Sequence, residues 1–233
     1  MQTHEEEIQD HPLFDGIRKE ELSAMLKCLG CYTRAYKKDE IILLPMDKVK
    51  CVGMILKGSI HMIKEDADGN TVLLVHLRKG ELFGESFVCG SCMDSRVAFM
   101  AAADCEVFYL PFHKVISTCS RSCAFHHRLI ENMVRLISDK NVRLMEKVEI
   151  ISRKSLREKI LAYLTMQAEK QGRHYFRIPL GRSELAEYLC ADRSALSREL
   201  ARMKDEGSFL ITKTNFVFVK EITADFWRWM YIM

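Results

Sequence analysis

The chain has 233 residues, of which 48% are hydrophobic and 29% are charged. This composition excludes a disordered or fibrous protein and is that of an ordinary globular one. The net charge of +3 is too small to indicate a partner. The distribution is more informative, because Glu5, Glu6 and Glu7 make the N-terminus acidic while Lys and Arg are concentrated in residues 152–204. A basic region confined to one segment favours a nucleic-acid partner.

The sequence predicts neither a membrane span nor a signal peptide. No apolar run reaches about 18 residues, and the acidic N-terminus contains no apolar stretch. We therefore expect a cytoplasmic protein without a membrane partner. In that compartment the nine cysteines are expected to be thiols, and an odd number does not fit a complete disulfide framework.

The N-terminal half is predicted to start with a helix and to continue as short strands. Pro12 precedes the helical stretch, which continues to about Cys28, and from about Ile41 short apolar runs alternate with turn signals. These runs are Cys51–Leu56, Ile60–Ile63, Thr71–Leu77, Glu81–Phe83, Val97–Ala102 and Glu106–Leu110. Asp66–Asn70 is typical of a hairpin turn. Short strands at this spacing indicate a small antiparallel sandwich or barrel.

A long segment without Pro or Gly, residues 125–152, follows the strands. Its apolar residues recur at alternating three- and four-residue spacing, which is typical of a coiled-coil seam. The predicted seam consists of Ile130, Val134, Ile137, Asn141, Leu144, Val148 and Ile151. An Asn within a seam favours pairing with its counterpart in a parallel dimer. The alternative is a long helix packed on its own domain.

The C-terminal part is predicted to be mainly helical, with a hairpin at its end. Ser155–Glu169 has the pattern of a helix that Gly172 closes, and Phe176–Leu180 resembles a short strand. Two close helices come next. A hairpin is predicted after them, formed by Phe209–Thr212 and Phe216–Val219.

The two close helices carry the sharpest signal, in residues 182–205. Leu185, Ala186 and Leu189 face inward on the first helix, Cys190-Ala191 makes a tight turn, and the Asp192 carboxylate is expected to cap the second helix. The outer face of the second helix then presents polar residues suited to base edges, with further basic residues for phosphates. The predicted DNA-binding residues are Arg182, Arg193, Ser194, Ser197, Arg198, Arg202 and Lys204. The alternative is an ordinary helical hairpin with solvated charges.

Five motifs stand in the order of one known family, and from about Leu13 to Val219 the chain resembles the CRP/FNR superfamily of regulators. The motifs are Lys57-Gly58-Ser59, Asp68-Gly69-Asn70, Gly80-Glu81-Leu82-Phe83-Gly84-Glu85, Asp104-Cys105-Glu106-Val107 and the helix-turn-helix. The resemblance implies an α+β protein with an N-terminal antiparallel jelly roll in residues 1–124. It also implies a dimerisation helix in residues 125–152 and a C-terminal winged helix-turn-helix in residues 153–233.

The resemblance also implies partners and base-reading residues. The expected partners are double-stranded DNA carrying an inverted repeat, a second copy of the chain and RNA polymerase. Ser197-Arg198 resemble the base-reading pair of the fumarate–nitrate branch, and Arg193 matches an extra Arg of the cyclic-AMP branch. Ser194 stands where many members have Glu, so the operator sequence does not follow from the resemblance.

The effector-binding residues are expected in the segment that follows the fourth strand run. Cyclic-nucleotide binders of the family use Gly-Glu and then an Arg-Ser or Arg-Thr pair, in which Arg and backbone amides hold the phosphate. Here Ser95 occupies the position of that Arg, and Arg96 comes one residue later. On a strand, the side chain of Arg96 would point to the opposite face. The sequence disfavours cyclic AMP and favours another small organic effector. Its candidate contacts are Gly84, Glu85, Ser86, Ser95, Arg96 and Val97.

Cysteine chemistry is the main alternative for sensing. Paired thiolates at this spacing can hold zinc or part of an iron–sulfur cluster, although isolated buried cysteines are often only small hydrophobes. The candidate pairs are Cys28 and Cys31, Cys89 and Cys92, and Cys119 and Cys123. The N-terminal cysteine triplet of the fumarate–nitrate regulator is missing, and no metal site is favoured.

Two other classes compete with a DNA-binding regulator. A metal-dependent jelly-roll enzyme needs clustered ligands, whereas His61 and His76 have no His-x-His companion, and no nucleophile elbow or P-loop is present. A cyclic-nucleotide module without a DNA role would not need residues 176–219. We therefore expect a transcription regulator and not an enzyme.

Overall fold

The computed structural model describes residues 7–65, 71–117, 124–173, 175–207, 209–212 and 215–218. These residues belong to two compact units, Met1–Asp139 and Lys140–Met233. The predicted hairpin turn at Asp66–Asn70 lies outside the described residues.

Residues 12–29 of the first unit form two short helical elements where the sequence predicted one helix. Pro12–Phe14 forms a 3-10 turn, and Gly16 adopts a φ of +71°, a conformation that interrupts a right-handed helix. Helix α1 then spans Lys19–Leu29 and ends at Gly30, which is left-handed with a φ of 64°. The predicted helix therefore starts later than expected, because the left-handed conformation of Gly16 separates it from the turn at Pro12.

Eight strands form two four-stranded antiparallel sheets, ordered β1-β8-β3-β6 and β2-β7-β4-β5. The strands are β1 Tyr32–Tyr36, β2 Ile41–Leu43, β3 Cys51–Lys57, β4 Ser59–Glu65, β5 Thr71–Arg78, β6 Leu82–Phe83, β7 Ala98–Ala101 and β8 Cys105–Pro111. Two short helices accompany them, α2 Glu85–Val88 and α3 Phe112–Ile116. All six predicted strand runs are present, whereas β1 lies before the predicted start of the strand region.

The interior between these strands is apolar and aromatic. Phe83, Phe99 and Tyr109 belong to one buried cluster, in which the Phe83 and Phe99 ring centroids lie 5.1 Å apart. The Tyr109 hydroxyl shares a 2.7 Å hydrogen bond with the Tyr36 hydroxyl, and both rings are buried. This hydrogen bond satisfies two polar atoms that would otherwise be costly to bury.

Helix α4 spans Ala124–Ile151, and its first half packs on the N-terminal segment. Leu129 and Met133 belong to the same core cluster as Leu13 and Phe14. Asn132, which is 2% exposed, donates from Nδ2 to the Leu13 carbonyl at 3.1 Å and to the Asp15 carbonyl at 2.8 Å. One side chain therefore fixes the N-terminal turn on α4.

Replacing Asn132 with alanine is expected to lower the free energy of unfolding by about 1–3 kcal/mol, because a buried carbonyl loses its donor. Urea unfolding followed by circular dichroism measures the change. Arg135→Ala, at an exposed position one turn away, is the control and should change stability by less than about 0.5 kcal/mol. Equal stability of the two variants would contradict the role given to Asn132.

His11 is held as a neutral ring in the same region. Its Nδ1 accepts from the Leu13 N–H at 3.1 Å, so Nε2 carries the proton and donates to the Gly80 carbonyl at 2.8 Å. Burial lowers the pKa of His11 below its usual value of 6.5. The unfolded chain therefore takes up a second ring proton, which makes the imidazole positively charged, at higher pH than the folded chain does.

The stability contribution of His11 is expected to be complete above pH 6.5 and to fall as the pH drops through the folded-state pKa. Urea midpoints compared at about pH 7.5 and about pH 5.5 measure this loss, since His titrates in that range. His11→Asn should show a smaller difference between the two pH values. An unchanged difference in the variant would assign the pH dependence to other groups.

The second unit contains helices α5 Leu156–Gln171, α6 Arg182–Tyr188 and α7 Arg193–Asp205 with a three-stranded sheet ordered β10-β11-β9. The strands are β9 Tyr175–Arg177, β10 Phe209–Thr212 and β11 Asn215–Phe218. Helix α5 begins with a reciprocal cap, in which Ser155 Oγ accepts from the Glu158 N–H and the Glu158 carboxylate accepts from the Ser155 N–H. Gly172 ends it, as predicted.

Candidate nucleic-acid interface and effector site

Helices α6 and α7 pack closely through small and aliphatic residues. Ala186 and Leu189 are buried on the α6 side, and Leu196, Leu200 and Met203 are buried on α7. The connecting turn is tight, because Cys190 adopts a φ of +51° and the Ala191 N–H donates to the Ala186 carbonyl at 2.9 Å. The turn and the inward residues agree with the sequence prediction.

The start of α7 differs from the prediction in one detail. Asp192 occupies the N-cap position, but its carboxylate makes no capping hydrogen bond. The predicted side-chain cap was therefore wrong, because sequence position identifies a cap residue and not its rotamer. The carboxylate nevertheless lies beside the positive end of the helix dipole, where negative charge is favourable.

Ion pairs connect helix α7 and its C-terminal end to helix α5. Arg157 of α5 lies 3.6 Å from the Glu199 carboxylate and also pairs with Glu206. Glu199 additionally contacts the guanidinium of Arg202 at 3.4 Å. These contacts orient the second helix while leaving its outer face uncovered.

The predicted DNA-binding residues are not all equivalent in exposure. Arg182, at the start of α6, is partly buried, and burial lowers its pKa. The remaining six lie on α7 and are exposed: Arg193, Ser194, Ser197, Arg198, Arg202 and Lys204. The residues near the N-terminus of α7 therefore form a polar face on a helix whose other side is the core of the unit.

The candidate effector residues surround helix α2. Gly84 adopts a φ of +80° and lies so close to the Cys51 carbonyl that a Cβ would be 3.2 Å from its oxygen, so the position requires glycine. Glu85 is 2% exposed, whereas Ser86 is exposed. The structure thus places the Gly-Glu pair at a sharp turn with the carboxylate directed inward.

Residues 95–97, the last of the candidate effector residues, include no inward-pointing arginine. Ser95 is fully buried, and its hydroxyl donates to the Val97 carbonyl at 2.7 Å. Val97 is also buried, whereas Arg96 is exposed. Arg96 lies in a bend before β7 rather than on a strand, so its exposure does not follow from strand alternation.

The described cysteine pairs differ in the exposure of their thiols. Cys28 is exposed while Cys31 is buried, and Cys89 and Cys92 are both exposed. Burial raises the pKa of Cys31 to about 12, which makes its thiolate scarce at neutral pH. Within the described ranges no group of three His, Cys, Asp or Glu side chains is suited to a metal ion. The Cys119 and Cys123 pair lies outside the described residues.

The predicted seam residues of α4 differ in their surroundings. Ile130 and Ile137 pack in part against the core of the first unit. Val134, Leu144 and Val148 are 57%, 58% and 50% exposed. Asn141 is also exposed and Ile151 is partly buried. The sequence prediction missed two further exposed apolar residues on this helix, Val142 and Met145.

Two family models match the two halves of the chain. The cyclic nucleotide-binding domain matches residues 33–122, and the Crp-like helix-turn-helix domain matches residues 158–221. The chain belongs to the CRP/FNR superfamily. The two matched domains are those of a DNA-binding transcription regulator with an effector domain. Among the described helices of this regulator, none combines the length and apolarity needed to cross a membrane.

One curated relative is similar to part of the chain. The regulator is 29% identical over 87 residues to the cAMP-activated global transcriptional regulator Vfr of Pseudomonas aeruginosa, and the match covers 36% of this chain and 41% of Vfr. The chain therefore spans less than half the length of this relative.

The structural matches cover most of the chain. CprK complexed with OCPA is 16% identical with a TM-score of 0.64, covering 86% of this chain and 90% of CprK. CooA of Carboxydothermus hydrogenoformans is 20% identical with a TM-score of 0.59, covering 91% and 93%. The c-di-GMP responsive regulator CLP of Xanthomonas campestris is 16% identical with a TM-score of 0.56, covering 85% and 98%. At these identities the matches establish the fold alone.

Proposed function

We propose that this regulator is a cytoplasmic homodimer that binds an inverted DNA repeat through α7 under the control of a small effector. The observation that carries the proposal is the outer face of α7, where Arg193, Ser194, Ser197 and Arg198 are exposed on a helix packed by Leu196, Leu200 and Met203. Arginine can contact guanine with two hydrogen bonds, and serine can bond several base edges.

Each of three segments of the chain is proposed to have its own function. Residues 1–124 sense the effector, residues 125–152 pair two chains, and residues 153–233 bind DNA and meet RNA polymerase. The exposed aliphatic side chains of Val134, Leu144 and Val148 support the pairing, because a second copy of the helix would remove them from water.

Selection of genomic fragments by the purified full-length protein tests the function. Enrichment of an inverted repeat upstream of a small set of operons is the expected result, and those operons would indicate the effector class. Enrichment by a variant carrying Ser197→Ala and Arg198→Ala should be lost. Equal enrichment by both proteins would show that α7 does not read the sequence.

The effector is proposed to contact Gly84, Glu85, Ser86, Ser95, Arg96 and Val97 without being cyclic AMP. Support comes from Ser95, whose buried hydroxyl is already bonded within the chain, and from the outward Arg96. A phosphate at this position would lack the guanidinium that such sites use.

Cyclic AMP is therefore expected to leave the melting temperature and the DNA affinity of the regulator unchanged. Thermal unfolding and fluorescence anisotropy, each with and without the nucleotide, measure the two quantities. A rise of several degrees that Arg96→Ala abolishes would show that Arg96 does reach a bound phosphate.

Cysteine-based sensing is the second candidate. It is supported by the exposed thiols of Cys89 and Cys92, which lie within the segment 84–97 that contains the candidate effector residues. DNA affinity measured with reduced protein and with oxidised protein distinguishes the two candidates. A difference that Cys89→Ser and Cys92→Ser remove would favour the cysteines over an organic effector.

A further inference from the structure

A row of two histidines and one methionine crosses the sheet β2-β7-β4-β5. In the strand register, His61 of β4 is directly opposite His76 of β5 on one side and directly opposite Met100 of β7 on the other. Directly opposite residues of antiparallel strands point to the same face, with Cβ atoms about 4.5–5.5 Å apart. The sequence places the two histidines on neighbouring predicted strands, but it does not show their register.

The row lies on the outer face of the sheet. The neighbours of these residues along the strands, Ile60, Leu77, Phe99 and Ala101, are all buried in the interior. Because successive residues alternate between faces, His61 and Met100 point outward, where both are partly exposed, and His76 is exposed. The three side chains are accessible to an ion from solvent.

The geometry of the two imidazoles suits a shared ion. Their ring centroids lie 5.0 Å apart with an interplanar angle of 60°. Two imidazoles that bind one ion through nitrogens at about 2.0 Å have centroids roughly 4.5–6.5 Å apart, depending on the angle at the metal. The observed spacing falls within this range.

We propose that His61, His76 and Met100 form a binding site for copper(I). A thioether is a soft donor that selects copper(I) over zinc or the harder divalent ions, and imidazole is compatible with it. No group of three His, Cys, Asp or Glu residues meets in the described part of the chain, so the row does not supply the usual donor set of a structural zinc site.

An ion at this site would connect three strands. Strand β5 is at the edge of its sheet and pairs with β4, and Val72, Leu73, Leu74 and Val75 expose 39–47% of their surface. Copper would join this edge strand to β4 and β7 through side chains as well as backbone. We therefore expect slower amide hydrogen exchange in β5 when the ion is bound.

The test measures copper content and the Met100 signal of the full-length protein. Copper(I) is added without oxygen as its acetonitrile complex, unbound metal is removed, and bound copper is counted for wild type, His61→Gln, His76→Gln and Met100→Leu. Leucine preserves the volume of methionine closely. The controls are His127→Gln, at a side chain 81% exposed, and Met93→Leu, at a side chain 43% exposed.

Wild type and the two controls are expected to bind about one copper(I) per chain more than each of the three site variants. In protein labelled at the methionine methyl groups, the Met100 resonance should shift on copper addition, and it should not shift in His61→Gln. Equal copper content in all six proteins, the result expected if the thiols alone hold copper, would overturn the proposal. An unchanged Met100 resonance in copper-loaded wild type would also overturn it.

Discussion

Replacing Val148 with glutamate is expected to separate the proposed dimer into monomers. Val148 is 50% exposed on α4 and belongs to the predicted seam, so pairing would bury two new carboxylates against apolar side chains. An unpaired buried charge costs several kcal/mol, and about 3 kcal/mol already weakens association more than a hundredfold. Sedimentation velocity measures the oligomeric state of wild type and variant.

Loss of the dimer should also reduce operator binding. A monomer contacts one half-site, and the affinity gained by linking two half-sites is lost. Val142→Glu is the matched control, because Val142 is 48% exposed on the same helix but lies outside the predicted seam. If Val148→Glu remains dimeric, or if Val142→Glu separates the chains as well, the seam has been placed on the wrong face.

Replacing Arg198 with alanine is expected to remove sequence preference while leaving non-specific DNA binding largely intact. Arg198 is exposed on α7, and a two-bond arginine–guanine contact contributes about 1–3 kcal/mol of discrimination. Anisotropy titrations with the selected repeat and with a scrambled repeat give the ratio of affinities. That ratio should fall by roughly 5- to 150-fold per half-site contact.

Lys204→Ala is the control for Arg198. Lys204 is also exposed on α7 but lies near its C-terminal end, where we expect a phosphate contact. The variant should weaken binding to both DNA sequences equally and reduce the dependence on salt by about one counterion. An unchanged affinity ratio in Arg198→Ala would exclude this arginine from base reading.

Elements with strong local signals could be predicted from the sequence. Helix α4 has a continuous apolar period without Pro or Gly. Helix α5 has a reciprocal Ser155–Glu158 cap at its start and Gly172 at its end. The ends of both helices could therefore be predicted from the local sequence. Strand β1 was missed because most of Tyr32–Tyr36 is exposed or partly exposed, and only Tyr36 is buried. Its pairing with β8, rather than its own pattern, makes it a strand.

Features that depend on distant contacts could not be predicted. The inward position of Ser95 follows from backbone hydrogen bonds to Met46 and Asp47, which are far away in sequence. The partial burial of Ile130 and Ile137 depends on the core of the first unit, although both fit the heptad. The opposition of His61 and His76 depends on strand register, which a sequence pattern does not report.

The most direct test of the central claim is the effect of half-site spacing on operator affinity. The wild-type protein is titrated with two DNA duplexes that carry the selected repeat, one with half-sites a single helical turn apart and one with half a turn inserted between them. If two recognition helices of a dimer read adjacent major grooves, the inserted half-turn should lower affinity to that of a single half-site. Equal affinity for the two duplexes would contradict the account of a dimer reading an inverted repeat.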